Sequence, residues 1–73
     1  MEDLIDTIVV RDTRGEERTL YEYRAFVPRM TLLGFRREPG KKRLELDTGA
    51  AVRRVNGYAF VIVSTGEPLF RII

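Results

Sequence analysis

Apolar and polar residues alternate over several stretches of the chain, and turn residues interrupt them about every eight to twelve positions. This spacing is typical of an all-β sandwich or a small barrel. The first two strands are predicted over residues 5–12 and 16–27, joined by a three-residue loop that ends in Gly15. Outward from this loop, the expected register pairs Ile8 with Leu20, Val10 with Arg18, and Arg11 with Glu17.

The segment from residue 44 onward contains a repeat, because residues 44–55 align with residues 61–72. Each copy consists of a strand, a turn with a glycine, and a second strand. Asn56-Gly57 joins the two copies, and this dipeptide is the strongest short hairpin signal. We therefore predict a C-terminal four-stranded meander in which residues 58–63 form the central buried strand. The whole chain, 1–73, is predicted to be a single small all-β domain, an SH3-like barrel of five to seven short antiparallel strands.

The middle of the chain is ambiguous, because the apolar residues of segment 28–37 fit either a short strand or one helical turn. Residues 38–41 are predicted as a type II turn with Pro39 and Gly40 at its central positions. Direct pairing of the flanks would place Phe35 opposite Leu44, Leu33 opposite Leu46, and Arg36 opposite Arg43.

Composition removes most catalytic chemistry. The chain has no Cys, His or Trp, which excludes disulfides, thiolate or imidazole metal sites and histidine acid–base catalysis. Ser64 is the sole serine and has no imidazole to activate it. We therefore expect no enzyme, no catalytic residue, no metal and no cofactor. A core of this size supplies only roughly 3 to 5 kcal/mol, so a homodimer is an open alternative.

Charge is distributed unevenly behind a net charge of +2. Residues 1–23 carry seven acids against three arginines, whereas residues 24–54 carry nine cations against three acids. The basic middle predicts an anion or nucleic-acid surface, because clustered Arg and Lys neutralise phosphates. Its candidate residues are Arg36, Arg37, Lys41, Lys42, Arg43, Arg53 and Arg54.

Two observations weaken the nucleic-acid interpretation. Neighbouring cations such as Arg36 and Arg37 must point to opposite faces of a strand, so about half of the set can share one surface. The aromatic residues that would stack on bases fall in apolar runs and are expected in the core. They are Tyr21, Tyr23, Tyr58 and Phe60. A solvated loop whose charges discourage aggregation remains the alternative.

The sequence 46–50, Leu-Asp-Thr-Gly-Ala, resembles the catalytic turn of retropepsin-type aspartic proteases. In that family two such Asp residues, one from each subunit, share a proton and activate water. Only 23 residues follow Ala50, too few for the rest of the family's pattern, and the equivalent turn at residues 64–66 has no Asp. We therefore interpret Asp47 as a turn residue.

The apolar segment 69–73 predicts either core packing or a strand at the edge of the sheet. An edge strand could pair with a partner strand or with a second copy. The candidate residues for this pairing are Leu69, Phe70 and Ile72.

The C-terminal half also resembles a group of small uncharacterised proteobacterial proteins. The similarity lies in Gly49 with residues 52–55, in residues 60–62, and in the pattern Thr-Gly-Glu-x-Leu-x-Arg over residues 65–71. The opening residues 6–12 are similar as well. This resemblance implies a β-rich domain and no known activity.

The function expected from the sequence is a non-enzymatic protein-interaction or binding module. The alternative is nucleic-acid or anion binding through residues 36–54. Acids stand where a signal peptide would carry positive charge, and no apolar stretch is long enough to span a bilayer. We therefore expect a cytoplasmic chain with no membrane partner.

Overall fold

A computed structural model describes residues 2–72 and shows an all-β chain. Each strand pairs antiparallel with the next, and the last pairs with the first, so the sheet closes into a barrel. This architecture confirms the predicted fold class and is consistent with a small SH3-like barrel. The strands are β1 (Glu2–Arg11), β2 (Glu17–Thr31), β3 (Gly34–Leu46), β4 (Ala51–Arg54), β5 (Ala59–Ile62) and β6 (Pro68–Arg71).

The β1–β2 hairpin has the predicted register next to its turn, including Ile8 opposite Leu20 and Val10 opposite Arg18. Its turn is built locally by Asp12. The Asp12 carboxylate accepts the backbone N–H groups of Arg14 and Glu16 at 2.9 Å. Gly15 has a φ of 82°, the left-handed conformation that the loop requires.

The core lies inside the barrel and takes alternate residues from every strand, because successive side chains of a strand point to opposite faces. Strand β5 shows the pattern: Phe60 and Ile62 are buried, whereas Tyr58 and Val63 beyond its ends are exposed. The prediction that residues 58–63 are buried throughout was therefore wrong. The core residues are Ile8, Val10, Leu20, Leu44, Leu46, Val52, Phe60, Ile62 and Leu69.

The middle of the chain, predicted as either a short strand or one helical turn over residues 28–37, consists of strands. Strand β2 continues to Thr31, and β3 begins at Gly34, whose φ of 113° closes a tight turn after Leu32 and Leu33. The predicted type II turn at residues 38–41 was wrong, because these residues lie inside β3. Gly40 sits at a bulge, where an added Cβ would come within 3.2 Å of the Ala25 carbonyl oxygen.

The pairings predicted around that turn were wrong for the same reason. Phe35 lies opposite Met30, and Arg36 lies opposite Arg29. Further along β3, the register is Leu44 with Glu22 and Leu46 with Leu20. The local Pro-Gly signal was overridden by the continued pairing of two long strands.

The C-terminal meander is confirmed as the ordered pairing of β3, β4, β5 and β6. The hairpin at Asn56-Gly57 is present, but Gly57 is not among the glycines with positive φ. The Asn56 side chain closes the loop instead, because its Oδ1 accepts the N–H groups of Tyr58 and Ala59 at 2.8 Å.

Candidate functional site

Strands β2 and β3 extend well past the barrel. Strand β1 accompanies β2 only as far as Ala25, and β4 accompanies β3 only at Leu44 and Glu45. Residues 26–31 and 34–39 consequently pair only with each other. We call residues 26–39 the projecting ribbon. It accounts for the elongated dimensions of the molecule, 53 × 25 × 21 Å.

The two faces of the projecting ribbon differ in chemistry, because residues opposite each other in a register share a face. Met30 and Phe35 form one rung of the first face, whereas Arg29 and Arg36 form a rung of the second. The first face comprises Phe26, Pro28, Met30, Phe35, Arg37 and Pro39. The second face comprises Val27, Arg29, Thr31, Arg36 and Glu38.

The end of the projecting ribbon is apolar and exposed. Leu32 and Leu33 are fully exposed, and Met30 and Phe35 are 74% and 75% exposed. The turn is held by its own polar groups: the Thr31 hydroxyl donates to the Gly34 carbonyl oxygen at 2.7 Å. The apolar side chains therefore form a surface rather than a core. We call Met30, Leu32, Leu33 and Phe35 the apolar tip.

Three of the predicted anion-binding residues are engaged by acids that are distant in sequence. Arg37 binds Asp3 at 3.1 Å and lies over the ring of Phe26. Arg43 binds Glu2 at 2.7 Å. Arg54 binds Glu22 at 3.3 Å. The acidic start of β1 thus lies beside the basic middle of the chain and neutralises part of it.

Four other predicted cations form no ion pair within residues 2–72, namely Arg36, Lys41, Lys42 and Arg53. They do not form one patch. Arg36 is near the apolar tip, Lys41 and Lys42 lie at the base of the projecting ribbon, and Arg53 is on β4. The structure therefore separates the predicted set into a paired and an unpaired group, and two of the unpaired residues, Lys42 and Arg53, line a common cleft.

A cleft of ≈ 340 Å³ lies where the projecting ribbon leaves the barrel. Glu22 in this cleft is only 8% exposed. Arg24, opposite Lys42 in the register, does not line the cleft, and its Nε is buried without a hydrogen-bond partner in residues 2–72. Four of the predicted anion-binding residues, Lys42, Arg43, Arg53 and Arg54, line the cleft together with the Glu22 carboxylate. Its lining residues are Glu22, Lys42, Arg43, Leu44, Val52, Arg53 and Arg54.

Asp47 lies in the β3–β4 turn and faces Arg18 on β2. The Arg18 Nη2 donates to Asp47 at 2.7 Å. This hydrogen bond lowers the pKa of Asp47 below its ordinary value. A shared-proton aspartate pair instead needs one carboxyl group that keeps its proton. The contact supports the interpretation of Asp47 as a residue that ties two strands together.

The contact between Arg43 and Glu2, at the start of β1, also lowers the pKa of a carboxyl group. Hydrogen bonding from Arg43 lowers the pKa of Glu2 below its ordinary value. Arg43 also lies over the ring of Tyr23, 4.5 Å from its centroid. These groups hold each other in place, so Arg43 is less available to an anion than its place in the sequence suggests.

The predicted partner-strand edge is corrected by the barrel closure. Strand β6 pairs with β5 on one side and with β1 on the other. Leu69 is fully buried in the core, and the Ile72 N–H donates to the Val9 carbonyl oxygen at 3.0 Å. Only Phe70 presents a largely exposed side chain among the candidate residues of this segment. Residues 69–72 therefore do not form a free edge.

Sequence reasoning missed the apolar tip. The apolar residues of segment 28–37 were noted, but their exposure was not predicted. One available signal was that cations enclose this short apolar segment, with Arg29 before it and Arg36 after it. The prediction for the aromatic residues was also wrong in part, because Phe60 alone of the four is buried, and Tyr58 is exposed.

Comparison with known proteins identifies no relative: no family model, curated protein or solved structure matches the chain. The resemblance to small proteobacterial proteins therefore stays a prediction. Residues 2–72 contain no group of three or more acidic side chains placed to hold a metal ion. The same part of the chain has no helix that is long and apolar enough to cross a membrane.

Proposed function

We propose that this chain is a non-enzymatic binding module and that the projecting ribbon is its binding element. The observation that carries the proposal is the apolar tip, four large side chains held in solvent at the end of a ribbon whose strands pair only with each other. Contiguous exposed apolar surface usually marks an interaction site.

The barrel supports this role by fixing the base of the projecting ribbon. A two-stranded hairpin alone is marginally stable in water. Here its strands continue into the closed sheet, and the Arg37–Asp3 ion pair joins its flank to β1. The tip is therefore presented on a scaffold rather than on a free loop.

Photocrosslinking from the tip tests this function. We would replace Leu33 with benzoylphenylalanine in one variant and Val63 in a control variant, and irradiate cells that express each chain. Val63 is also apolar and is 60% exposed, but it lies on the barrel. We expect adducts from position 33 that exceed those from position 63 and that are lost when Leu32→Asp is added. Equal yields from positions 33 and 63 would reject the proposal.

Anion or nucleic-acid binding is the second candidate, and the cleft beside Lys42 favours it. Its cationic lining is suited to a phosphate group. Binding to mixed oligonucleotides should then fall steeply as salt rises. The Lys42→Glu/Arg53→Glu variant should abolish this binding. Arg36→Glu, which alters the charge outside the cleft, should leave it largely intact.

A wider surface predicts a different result from the same assay. If the basic residues of the projecting ribbon contribute, Arg36→Glu should weaken oligonucleotide binding as much as Lys42→Glu. No binding of the unmodified chain at low salt would discard the nucleic-acid candidate. The expected cytoplasmic location, the homodimer and the absence of enzyme activity stay predictions.

A further inference from the structure

The apolar tip is layered along the axis of the projecting ribbon. Leu32 and Leu33 occupy the extreme end, the Thr31–Gly34 rung follows, and the Met30–Phe35 rung comes after it. Consecutive rungs are about 3.4 Å apart, so the apolar layer is roughly 5 to 7 Å deep. The next rung is Arg29–Arg36. An abrupt change from apolar to cationic groups therefore occurs along the ribbon axis and not only between its faces.

The charge around the tip argues against a second copy as its partner. Residues 24–43 carry seven cations and a single carboxylate, Glu38, which already binds Arg29 at 3.0 Å. Two copies that met through this region would bring like charges together. Pro28 and Pro39 also remove backbone donors from the strands of the projecting ribbon, which disfavours pairing with a further strand.

The same charge complements an anionic surface. Amphipathic elements that bind a bilayer interface bury their apolar groups about 5 to 10 Å deep, a depth similar to that of the apolar tip. At that depth Arg36 would lie among lipid phosphates. Leu32 and Leu33 are fully exposed, which suits a fluid apolar phase better than a protein groove that covers one face.

Resting on the proposed function of the projecting ribbon as a binding element, we propose that its apolar tip inserts into the interface of an anionic lipid bilayer, with Arg36 contacting headgroup phosphates. This departs from the sequence expectation of no membrane partner. That expectation concerned segments long enough to span a bilayer, whereas interfacial insertion needs only a few side chains.

Fluorescence provides a direct test, because the chain has no Trp. Leu33→Trp places a single reporter at the tip, and Val63→Trp places a control on the barrel. With vesicles of phosphatidylcholine and phosphatidylglycerol in a 7:3 ratio, the indole emission of the tip variant should shift to the blue and be quenched by lipids brominated on their acyl chains. The emission of the barrel variant should not change. An unshifted emission of the tip variant at saturating lipid would overturn the proposal.

Vesicle flotation of the unmodified chain and of variants separates the apolar and charged contributions to membrane binding. Leu32→Ser/Leu33→Ser should lower the partition coefficient roughly tenfold or more, because two leucines no longer leave water. Arg36→Glu should lower it about fivefold or more. Arg14→Glu, in the turn at the opposite end of β2 from the tip, is the matched charge control and should have little effect. Circular dichroism should show that every variant keeps the fold of the parent.

Other outcomes identify which proposal fails. Equal binding to vesicles of phosphatidylcholine alone would overturn the role of the cations, and undiminished binding of the double serine variant would overturn insertion. If vesicles do not bind but position 33 crosslinks to a protein, the membrane inference is wrong and the binding module stands. If position 33 gives neither vesicle binding nor crosslinks above the Val63 control, both proposals are wrong.

Discussion

Strands β2 and β3 run through both the barrel and the projecting ribbon, yet their apolar side chains are buried in the barrel and exposed in the ribbon. Leu20 of β2 is completely buried inside the barrel, whereas Met30, further along the same strand, is largely exposed. The difference arises from closure, because only the barrel segment has a second layer of side chains facing it. The exposed apolar residues of the ribbon add nothing to the core.

Two phenylalanines test this contrast with the largest expected effect. Phe60→Ala should reduce the free energy of unfolding by about 3 to 5 kcal/mol, because it removes the largest fully buried side chain. Phe35→Ala should change it by less than about 0.5 kcal/mol. Urea unfolding followed by circular dichroism measures both. Similar losses in the two variants would mean that the projecting ribbon packs against the chain after all.

The next effect concerns the junction between the two regions. Arg54→Ala should cost about 1 to 3 kcal/mol, because it leaves the buried carboxylate of Glu22 without its partner. Arg53→Ala is the matched control on the same strand, and its side chain forms no ion pair within residues 2–72. The same unfolding assay should show little change for it. A larger loss for Arg53→Ala would contradict this account of the junction.

A smaller effect within the barrel depends on pH. The pKa of Asp47 is lower in the folded chain than its ordinary value of 3.8. The ionised group therefore stabilises the fold above that value, and this contribution is lost as the pH falls through the folded pKa. Asp47→Asn should destabilise the chain at pH 7 by about 1 kcal/mol or less.

The parent and Asp47→Asn should become equally stable at strongly acidic pH, which thermal unfolding across a pH series would show. Glu17→Gln is a suitable control, because Glu17 lies 4.0 Å from Arg11 and both side chains are mostly exposed. It should show no comparable pH dependence. A difference between Asp47→Asn and the parent that persists at low pH would assign the effect to something other than ionisation.

The smallest expected change comes from removing the projecting ribbon. Joining Arg24 to Lys42 through Asn-Gly deletes residues 25–41 and keeps a register that is already paired. The barrel should retain its circular dichroism spectrum and unfold within about 1 kcal/mol of the parent, since shorter loops change stability little. Loss of folding in this variant would show that the two regions are one cooperative unit.

The fold was predictable where local signals agreed with each other. The β1–β2 register followed from a turn at Gly15 and from alternation on both sides of it. The turn predicted at Pro39-Gly40 does not form, because β3 pairs with β2 both before and after these residues and the irregularity is a bulge. A type II turn can be recognised locally, but the length of a strand beside it depends on its partner.

The site was less predictable, because it depends on contacts between distant residues. The sequence identified Arg37 and Arg43 as cations, but not that Asp3 and Glu2 bind them. It identified Leu32 and Leu33 as apolar, but not that they lie outside the core. An apolar residue is not necessarily buried, since burial requires other strands whose side chains pack against it.

The closure between β1 and β6 has a consequence for how the chain folds during synthesis. It pairs Val10 with Arg71 and Arg11 with Phe70, so it joins strands from opposite ends of the sheet. Contacts so far apart in sequence form late, because the cost of closing the loop precedes their gain. The β1–β2 and β2–β3 hairpins can form as soon as they leave the ribosome. Until β6 is synthesised, β1 has an unpaired edge and Leu69 is missing from the core. The nascent chain is then prone to aggregation and to chaperone binding.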